Sequence, residues 1–310
     1  MKELTYISVD LADMGRPKER PPKTNWKTEM IKKGLLALQH ASPKRTADII
    51  WHHFTMPGKV NFSDSQNKLM ERAEIGETKY EGDTIINYRW GTEGPKVLLA
   101  HGWRSKMADF RKLIEAYLEA GYVVEGLDNR AHGRSDGRHT TMPEYRNILK
   151  EYMVKNGPYH TVVGYSMGGM VAGIILSEVS KSLYPKNLFL LAAPPYVQFF
   201  FEKIVSELGC RRSVYDAFIK RIEVAYHQPA DYFDLRTKVK ELSGIEKHFI
   251  YCEDDEIIPF ALGREVYDLH ENKHFVQARG FGHYKILSHD EIVRYIIKNS
   301  AVAEEAQLQE

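Results

Sequence analysis

The chain of 310 residues has little cysteine and no excess of charge of either sign. Its two cysteines, Cys210 and Cys252, are far apart and too few for a disulfide framework or a zinc ribbon. Because 43 basic residues oppose 42 acidic ones, the net charge of +1 provides no long-range field for a nucleic acid or an acidic membrane. We therefore expect no nucleic-acid partner.

Long apolar runs are missing as well. No stretch reaches the roughly 18 apolar residues of a membrane span. Residues 1–15 lack the apolar run and small-residue cleavage site of a signal peptide, and they contain Lys2, Glu3, Asp10 and Asp13. We therefore expect a cytoplasmic protein without a membrane span.

Short apolar runs do occur, and they alternate with amphipathic stretches. The runs that suit buried strands are 96–100, 122–127, 161–163, 187–192, 247–251 and 274–277. Stretches with helical spacing are 108–120, 143–155, 167–181 and 290–298. This alternation predicts an α/β fold with a mostly parallel sheet covered by helices on both faces. Residues 77–80 and 84–90 alternate in polarity and predict an antiparallel hairpin before it.

The same pattern divides the chain into a leader, a core in two pieces, a cap and a tail. The leader is residues 1–72 and the tail is residues 303–310. The core is residues 73–193 with 244–302, and the cap is residues 194–243. The leader is predicted to be helical and to pack on the core, with a proline-rich extended stretch at 15–25. The interval assigned to the cap has no strong strand but several amphipathic, aromatic-rich stretches. It predicts a small helical cap over the carboxyl ends of the strands, and the polar tail is expected to fray.

The most informative motif is the pentapeptide GYSMG at 164–168, which contains Ser166. A short apolar strand precedes it, and a helix rich in small residues follows it. A nucleophile elbow needs this tight strand-to-helix turn, because the turn exposes the serine oxygen beside the amides of the helix N-terminus. The motif therefore predicts Ser166 as a nucleophile. The alternative is a serine that only caps an ordinary helix.

A serine hydroxyl needs a base, and in this arrangement an acid and then a histidine follow the serine along the chain. Four carboxylates, at 253–256, follow the strand predicted at 247–251, where ligand-facing residues lie in open α/β sheets. His283 lies between glycines after the last predicted strand and could take the serine proton. For the acidic segment, the alternatives are a solvated turn or a metal site. For His283, the alternative is a histidine with only a structural role. A metal site is disfavoured because no histidine lies in the acidic cluster.

A tetrahedral oxyanion requires two N–H donors. The amide of Met167 follows the nucleophile, and the loop after the strand at 96–100 offers the amide of Trp103. We predict these two amides as the oxyanion hole. His101-Gly102 is also typical of a plain β-turn, and the two interpretations are compatible.

Taken in order, five segments resemble the motifs of the α/β-hydrolase superfamily: HGW (101–103), DNRAHGRS (128–135), GYSMGG (164–169), DDEIIP (254–259) and GFGHY (280–284). The resemblance covers roughly residues 73–298, and it is greatest to esterase, lysophospholipase and acyl-peptidase-like members that have a helical cap. It implies Ser166 as nucleophile, His283 as base and Asp255 as acid. Asp255 has the family's spacing to an aliphatic residue and a proline, and Asp254, one position away, is the fallback.

Two positions depart from the family pattern, Cys252 in place of a common glycine and Arg130 in place of a small residue or proline. Neither supplies a catalytic atom. The resemblance implies a serine hydrolase that cleaves a small-molecule carboxylic ester through an acyl-enzyme, with no cofactor and no metal. A thioesterase, an acyltransferase, a cofactor-free C–C hydrolase or a perhydrolase could use the same residues. A non-catalytic binding protein is an alternative of another class. The sequence leaves the substrate-binding residues, the acyl chain length and the oligomeric state open.

Overall fold

The computed structural model describes residues 3–8, 26–269 and 273–302. Within these residues, nine strands form one sheet in the spatial order β1-β9-β8-β7-β6-β4-β5-β3-β2. The strands are β1 (Glu3–Ser8), β2 (Glu74–Tyr80), β3 (Asp83–Trp90), β4 (Lys96–Ala100), β5 (Val123–Leu127), β6 (Thr161–Tyr165), β7 (Asn187–Leu191), β8 (Glu246–Cys252) and β9 (Lys273–Arg279). The helices are α1 (Trp26–Ala41), α2 (Pro43–Phe54), α3 (Asp64–Met70), α4 (Arg111–Glu119), α5 (Met142–Asn156), α6 (Met167–Glu178), α7 (Gln198–Leu208), α8 (Arg212–Tyr226), α9 (Leu235–Lys240), α10 (Phe260–Asp268), α11 (Gly282–Lys285) and α12 (Asp290–Ser300).

Apart from the antiparallel pairs that β3 makes with β2 and β5, neighbouring strands in the sheet run parallel. Successive side chains of β4 point to opposite faces. Leu98 packs into the apolar layer under α5 and α6, whereas Val97 and Leu99 pack into the layer under α4 and α12. Strands covered on both faces need apolar side chains at every position, which is why they read as continuous apolar runs. The predicted α/β fold with a mostly parallel sheet is confirmed.

The leader contains more than the helices predicted for it. β1 pairs in parallel with β9 at the sheet edge, where the sequence pattern predicts no strand. Leu4 and Tyr6 of β1 are 60% and 54% exposed, so the strand lacks a buried apolar run, and its partner lies far along the chain. The short helix α3 was also missed. It begins with a capping box in which Ser63 and Gln66 bond each other's backbone amides. The stretch predicted to be extended, 15–25, and the tail, 303–310, lie outside the described residues.

Helices α7, α8 and α9 occupy the interval for which a cap was predicted, between β7 and β8. The division of the chain into leader, core and cap at the stated boundaries stays a prediction. Across the described ranges, no helix combines the length and the apolar character needed to cross a lipid bilayer.

Candidate active site

Ser166 lies at the sharp turn between β6 and α6. Its backbone has φ 51° and ψ −124°, a conformation that L residues rarely adopt and that costs about 1–3 kcal/mol. The Ser166 amide donates to the carbonyl of Leu191 at 2.8 Å, which ties the turn to the end of β7. Close packing also holds the turn. Gly164 and Gly169 lie so near each other that a Cβ added to Gly164 would be 2.4 Å from the Cα of Gly169. The elbow geometry predicted from the pentapeptide is therefore present at this serine.

His283 contacts Ser166 and Asp255 with its two ring nitrogens. Nε2 lies 3.1 Å from Ser166 Oγ, and Nδ1 lies 2.7 Å from Asp255 Oδ2. All three residues are buried, at 6–7% exposure. When Nδ1–H donates to the carboxylate, Nε2 presents a lone pair to the serine hydroxyl, which is the arrangement that a general base requires. His283 lies in the one-turn helix α11 and not in the loop that the sequence suggested.

The adjacent carboxylates, Asp254 and Asp255, have different partners. Asp255 Oδ1 accepts hydrogen bonds of 2.8 Å from the amides of Ile257 and Ile258, which leaves Oδ2 for His283. Asp254 instead accepts from the amides of Gly280 at 2.7 Å and Gly282 at 3.0 Å. The structure therefore brings Asp255, and not the fallback, to the histidine.

Partial burial of Asp254 favours its neutral form, but hydrogen bonds outweigh this effect. The Cys252 thiol and the amides of Gly280 and Gly282 all donate to the carboxylate, and together they lower its pKa below the ordinary value. Asp254 thus stays charged and anchors the segment that precedes His283.

The predicted oxyanion donors flank Ser166. Met167 is the first residue of α6, so its amide belongs to the unsatisfied N-terminal turn of the helix. The loop of Trp103 reaches the serine through Gly102, where a Cβ would lie 2.9 Å from Ser166 Cβ. Within the described ranges, neither the Trp103 amide nor the Met167 amide has a hydrogen-bond acceptor. The predicted role as oxyanion donors requires amides without a protein acceptor, and both meet this requirement.

Two buried histidines, His101 and His132, hold this loop. The family resemblance implies a structural loop at His132, but no local pattern in the sequence indicates the contacts that the two rings make. His101 Nδ1 bonds the carbonyl of Gly102 at 2.8 Å, and its Nε2 accepts from the amide of Asn129 at 3.0 Å. Burial lowers the pKa of His101 to about 4. Burial, together with the neighbouring His101, lowers the pKa of His132 to about 3. Both rings are therefore neutral near pH 7.

An apolar cavity of about 280 Å³ opens beside Ser166 and His283. Core residues such as Met142 and Met170 line it, and so do residues of the leader, Trp51, Phe54 and Thr55. The cap contributes Val197, Phe200, Phe201, Ile222, Tyr226 and Phe233. The substrate-binding residues were not predicted from the sequence, which carries no signal that the leader reaches this cavity.

A second, more polar cavity of about 500 Å³ lies next to the first. Trp103, Arg104 and Tyr284 line both cavities. Asp109 and Gln66 are among the polar residues that line the second cavity alone. The shared residues Trp103 and Arg104 place the second cavity against the loop that follows β4.

In the part of the chain that the structure describes, one group of side chains has the proximity of metal ligands. The ligand atoms of Glu246, His248 and His274 lie within 4.8 Å of one another, at the amino ends of β8 and β9. The two imidazole rings stack at 4.5 Å and 11°, so their lone pairs lie in nearly parallel planes and do not converge. Ser166 is at the carboxyl end of its strand, so this group has no part in the chemistry at the serine.

A serine elbow with a histidine and a carboxylate at the carboxyl edge of a parallel sheet is an arrangement found in hydrolases. Residues 97–293 match the model of the alpha/beta hydrolase family, and the chain belongs to this family. The resemblance seen in the sequence is confirmed.

Two curated relatives match shorter stretches. A non-heme chloroperoxidase from Streptomyces lividans is 30% identical over 124 residues, which are 38% of this chain and 44% of that protein. A monoacylglycerol lipase from Mycolicibacterium smegmatis is 26% identical over 106 residues, which are 32% and 37% of the two chains. The chain thus spans less than half the length of either relative.

Solved structures share the fold at low identity. A putative lipase from Acinetobacter baumannii superposes with a TM-score of 0.56 and 16% identity, and covers 78% of this chain and 99% of its own. An esterase from Pyrococcus furiosus has a TM-score of 0.56 and 20% identity, and covers 77% and 95%. Nearly the whole of each neighbour is matched, whereas more than a fifth of this chain lies outside the match.

Proposed function

We propose that the protein is a serine hydrolase that cleaves carboxylic esters through an acyl-enzyme. The observation that carries the proposal is the contact series at Ser166, with Oγ 3.1 Å from His283 Nε2 and Asp255 Oδ2 2.7 Å from His283 Nδ1. An alcohol becomes a competent nucleophile when a base takes its proton during attack. The monoacylglycerol lipase and the esterase among the similar proteins support an ester as substrate.

In the first half-reaction, Ser166 Oγ attacks the ester carbonyl and His283 Nε2 takes its proton. The amides of Trp103 and Met167 donate to the oxyanion that forms, and each such donor is worth about 10²–10³ in turnover. His283 then protonates the leaving alkoxide, the C–O bond breaks, and the acyl group remains on Ser166. Asp255 stabilises the imidazolium that exists between these steps.

In the second half-reaction, water attacks the acyl-enzyme. His283 takes a proton from the water, the same two amides hold the second oxyanion, and the Ser166 oxygen leaves with the proton that His283 returns. The products are a carboxylic acid and the free enzyme. The reaction as proposed uses no cofactor and no metal.

The cavities suggest how the ester lies. The apolar cavity suits the acyl chain, because burial of each methylene gains about 0.8 kcal/mol. The polar cavity suits the alcohol portion, which leaves as a hydrophilic product. The same groups could act on a thioester or transfer the acyl group to an alcohol. A binding protein without activity is disfavoured, because the serine, the histidine and the carboxylate are all in contact.

The test is labelling by a fluorophosphonate and hydrolysis of p-nitrophenyl esters, with Ser166→Ala and a control, Ser182→Ala. Ser182 is exposed, outside the site, so its loss should leave both readouts unchanged. We expect the wild type to be labelled, and Ser166→Ala to lose labelling and at least about 10³-fold in kcat/KM. A folded wild type that is neither labelled nor active would overturn the proposal in favour of a binding protein.

A further inference from the structure

The wall of the apolar cavity includes α2, a helix of the leader. Trp51 and Phe54 line the cavity together with Ser166 and His283. The family match begins at residue 97, so this wall comes from a part of the chain that the match does not include. The cavity beside the nucleophile is therefore completed by an element additional to the matched core.

The sequence of α2 explains why these two rings face inward. The helix begins after Ser42, whose side chain accepts a hydrogen bond from the amide of Arg45, and Pro43 occupies its first turn. Ala47, Ile50, Trp51 and Phe54 follow at helical spacing and share one face of the helix. Ile49 is on another face and is 40% exposed. The amphipathic pattern thus turns the aromatic face toward the cavity.

Contacts on both sides hold α2 in place. On the cap side, Asp48 forms an ion pair with Arg221, whose guanidinium lies 5.4 Å from the centre of the Trp51 ring. On the core side, the carbonyl of Thr55 accepts from the amide of Thr140 at 2.9 Å. The helix therefore spans from the cap to the core beside the site, with contacts to both.

Phe54 lies between the cap and the loop predicted to hold the oxyanion. Its ring stacks on Trp103 at 5.6 Å and 11°, and meets Phe201 of the cap edge-on at 5.9 Å. Trp51 packs against the same Phe201 at 6.0 Å. The two leader rings therefore occupy space that an acyl chain at Ser166 would otherwise enter.

We propose that α2 is the specificity-determining wall of the acyl site, and that Trp51 and Phe54 limit the length and bulk of the acyl chain. The inference rests on the proposed ester hydrolysis and names its substrate class, an ester of a short to medium apolar acyl chain. An apolar pocket discriminates chains by the volume it offers to the last methylenes. Removal of a ring should therefore change the ranking of substrates rather than the chemistry.

The experiment measures kcat/KM for p-nitrophenyl acetate, butyrate, octanoate and laurate in the full chain. The variants are Trp51→Ala, Phe54→Ala and, as a matched control on an outer face of the same helix, Ile49→Ala. Each ring truncation should raise the laurate-to-acetate ratio about 10-fold, whereas Ile49→Ala should stay within about 2-fold of wild type. Phe54→Trp, which adds volume, should lower the ratio.

Thermal unfolding shows whether each variant is folded, and Phe54→Leu and Trp51→Phe replace any variant that is not. The inference is overturned if the folded ring variants change kcat/KM by the same factor for all four esters, or if Ile49→Ala shifts the ratio as much as they do. Either result leaves the proposed ester hydrolysis standing, because the wild type would still act through Ser166. If the wild type is inactive, or if its activity persists in Ser166→Ala, the proposed function fails and the inference fails with it.

Discussion

The backbone amide of Arg104 donates a hydrogen bond of 3.2 Å to Nε2 of His132. Nδ1 of the same ring bonds the carbonyl of Arg130 at 2.9 Å, so Nδ1 carries the proton and Nε2 accepts. Arg104 itself has φ 55°, in the left-handed region, so the loop next to the site is held in an uncommon conformation. The loop that carries the Trp103 amide therefore depends on histidines that are neutral.

This dependence predicts a loss of stability in mild acid. The pKa of His101 is lowered to about 4 and that of His132 to about 3, against about 6.5 in an unfolded chain. At a pH between the folded and the unfolded pKa, the unfolded chain binds protons that the folded chain does not. The part of the free energy of unfolding that comes from these two neutral rings is therefore fully present above pH 6.5, and it falls as the pH drops toward 4. Each histidine contributes a slope of at most about 1.4 kcal/mol per pH unit.

Denaturant unfolding at pH 7, 6, 5 and 4 measures this slope. His132→Asn should reduce it, because one of the buried histidines with a lowered pKa is removed, whereas His53→Asn on the exposed side of α2 should keep the wild-type slope. An equal slope in wild type and His132→Asn would contradict the role assigned to His132.

Substitution of Asp254 and of Asp255 by asparagine should have different effects on kcat and on stability. Asp255→Asn removes the charge behind His283 and should lower kcat about 10³–10⁴-fold, with little change in stability. Asp254→Asn weakens the bonds to Gly280 and Gly282, and should lower the free energy of unfolding by about 1–3 kcal/mol and kcat by no more than about 10-fold. Steady-state kinetics and denaturant unfolding of both variants check this. A larger kcat loss for Asp254→Asn than for Asp255→Asn would reassign the acid.

Gly102→Ala should impair the oxyanion site without touching a reacting side chain. The added Cβ would lie 2.9 Å from Ser166 Cβ, so the loop must move and carry the Trp103 amide with it. We expect kcat to fall about 10²-fold or more at nearly constant KM, since the lost interaction exists mainly in the transition state. Gly34→Ala, with nothing within 4 Å of the added Cβ, is the matched control. Unchanged kcat in a folded Gly102→Ala would argue against this loop as an oxyanion donor.

Local patterns predicted the core elements closely. The run at 96–100 is β4 residue for residue, and the pentapeptide at 164–168 contains the turn from β6 into α6. Strands buried on both faces need apolar side chains at every position, so their identity is written in short segments. The edge strand β1 has no such run, because its stability comes from backbone bonds to β9, and the pattern did not reveal it.

At the site, the sequence by itself determined which residue types were available, a serine in an elbow motif, an acidic loop and a late histidine in chain order. The family spacing favoured Asp255 and kept Asp254 as a fallback. Only the tertiary structure shows where the two carboxylates point: Asp255 contacts His283, and Asp254 binds the backbone of the loop before it. It also decided that α2 lines the cavity beside Ser166. Backbone turns and buried runs are local properties, whereas the direction of a carboxylate and the surface against which an amphipathic helix packs depend on partners that only the fold brings near.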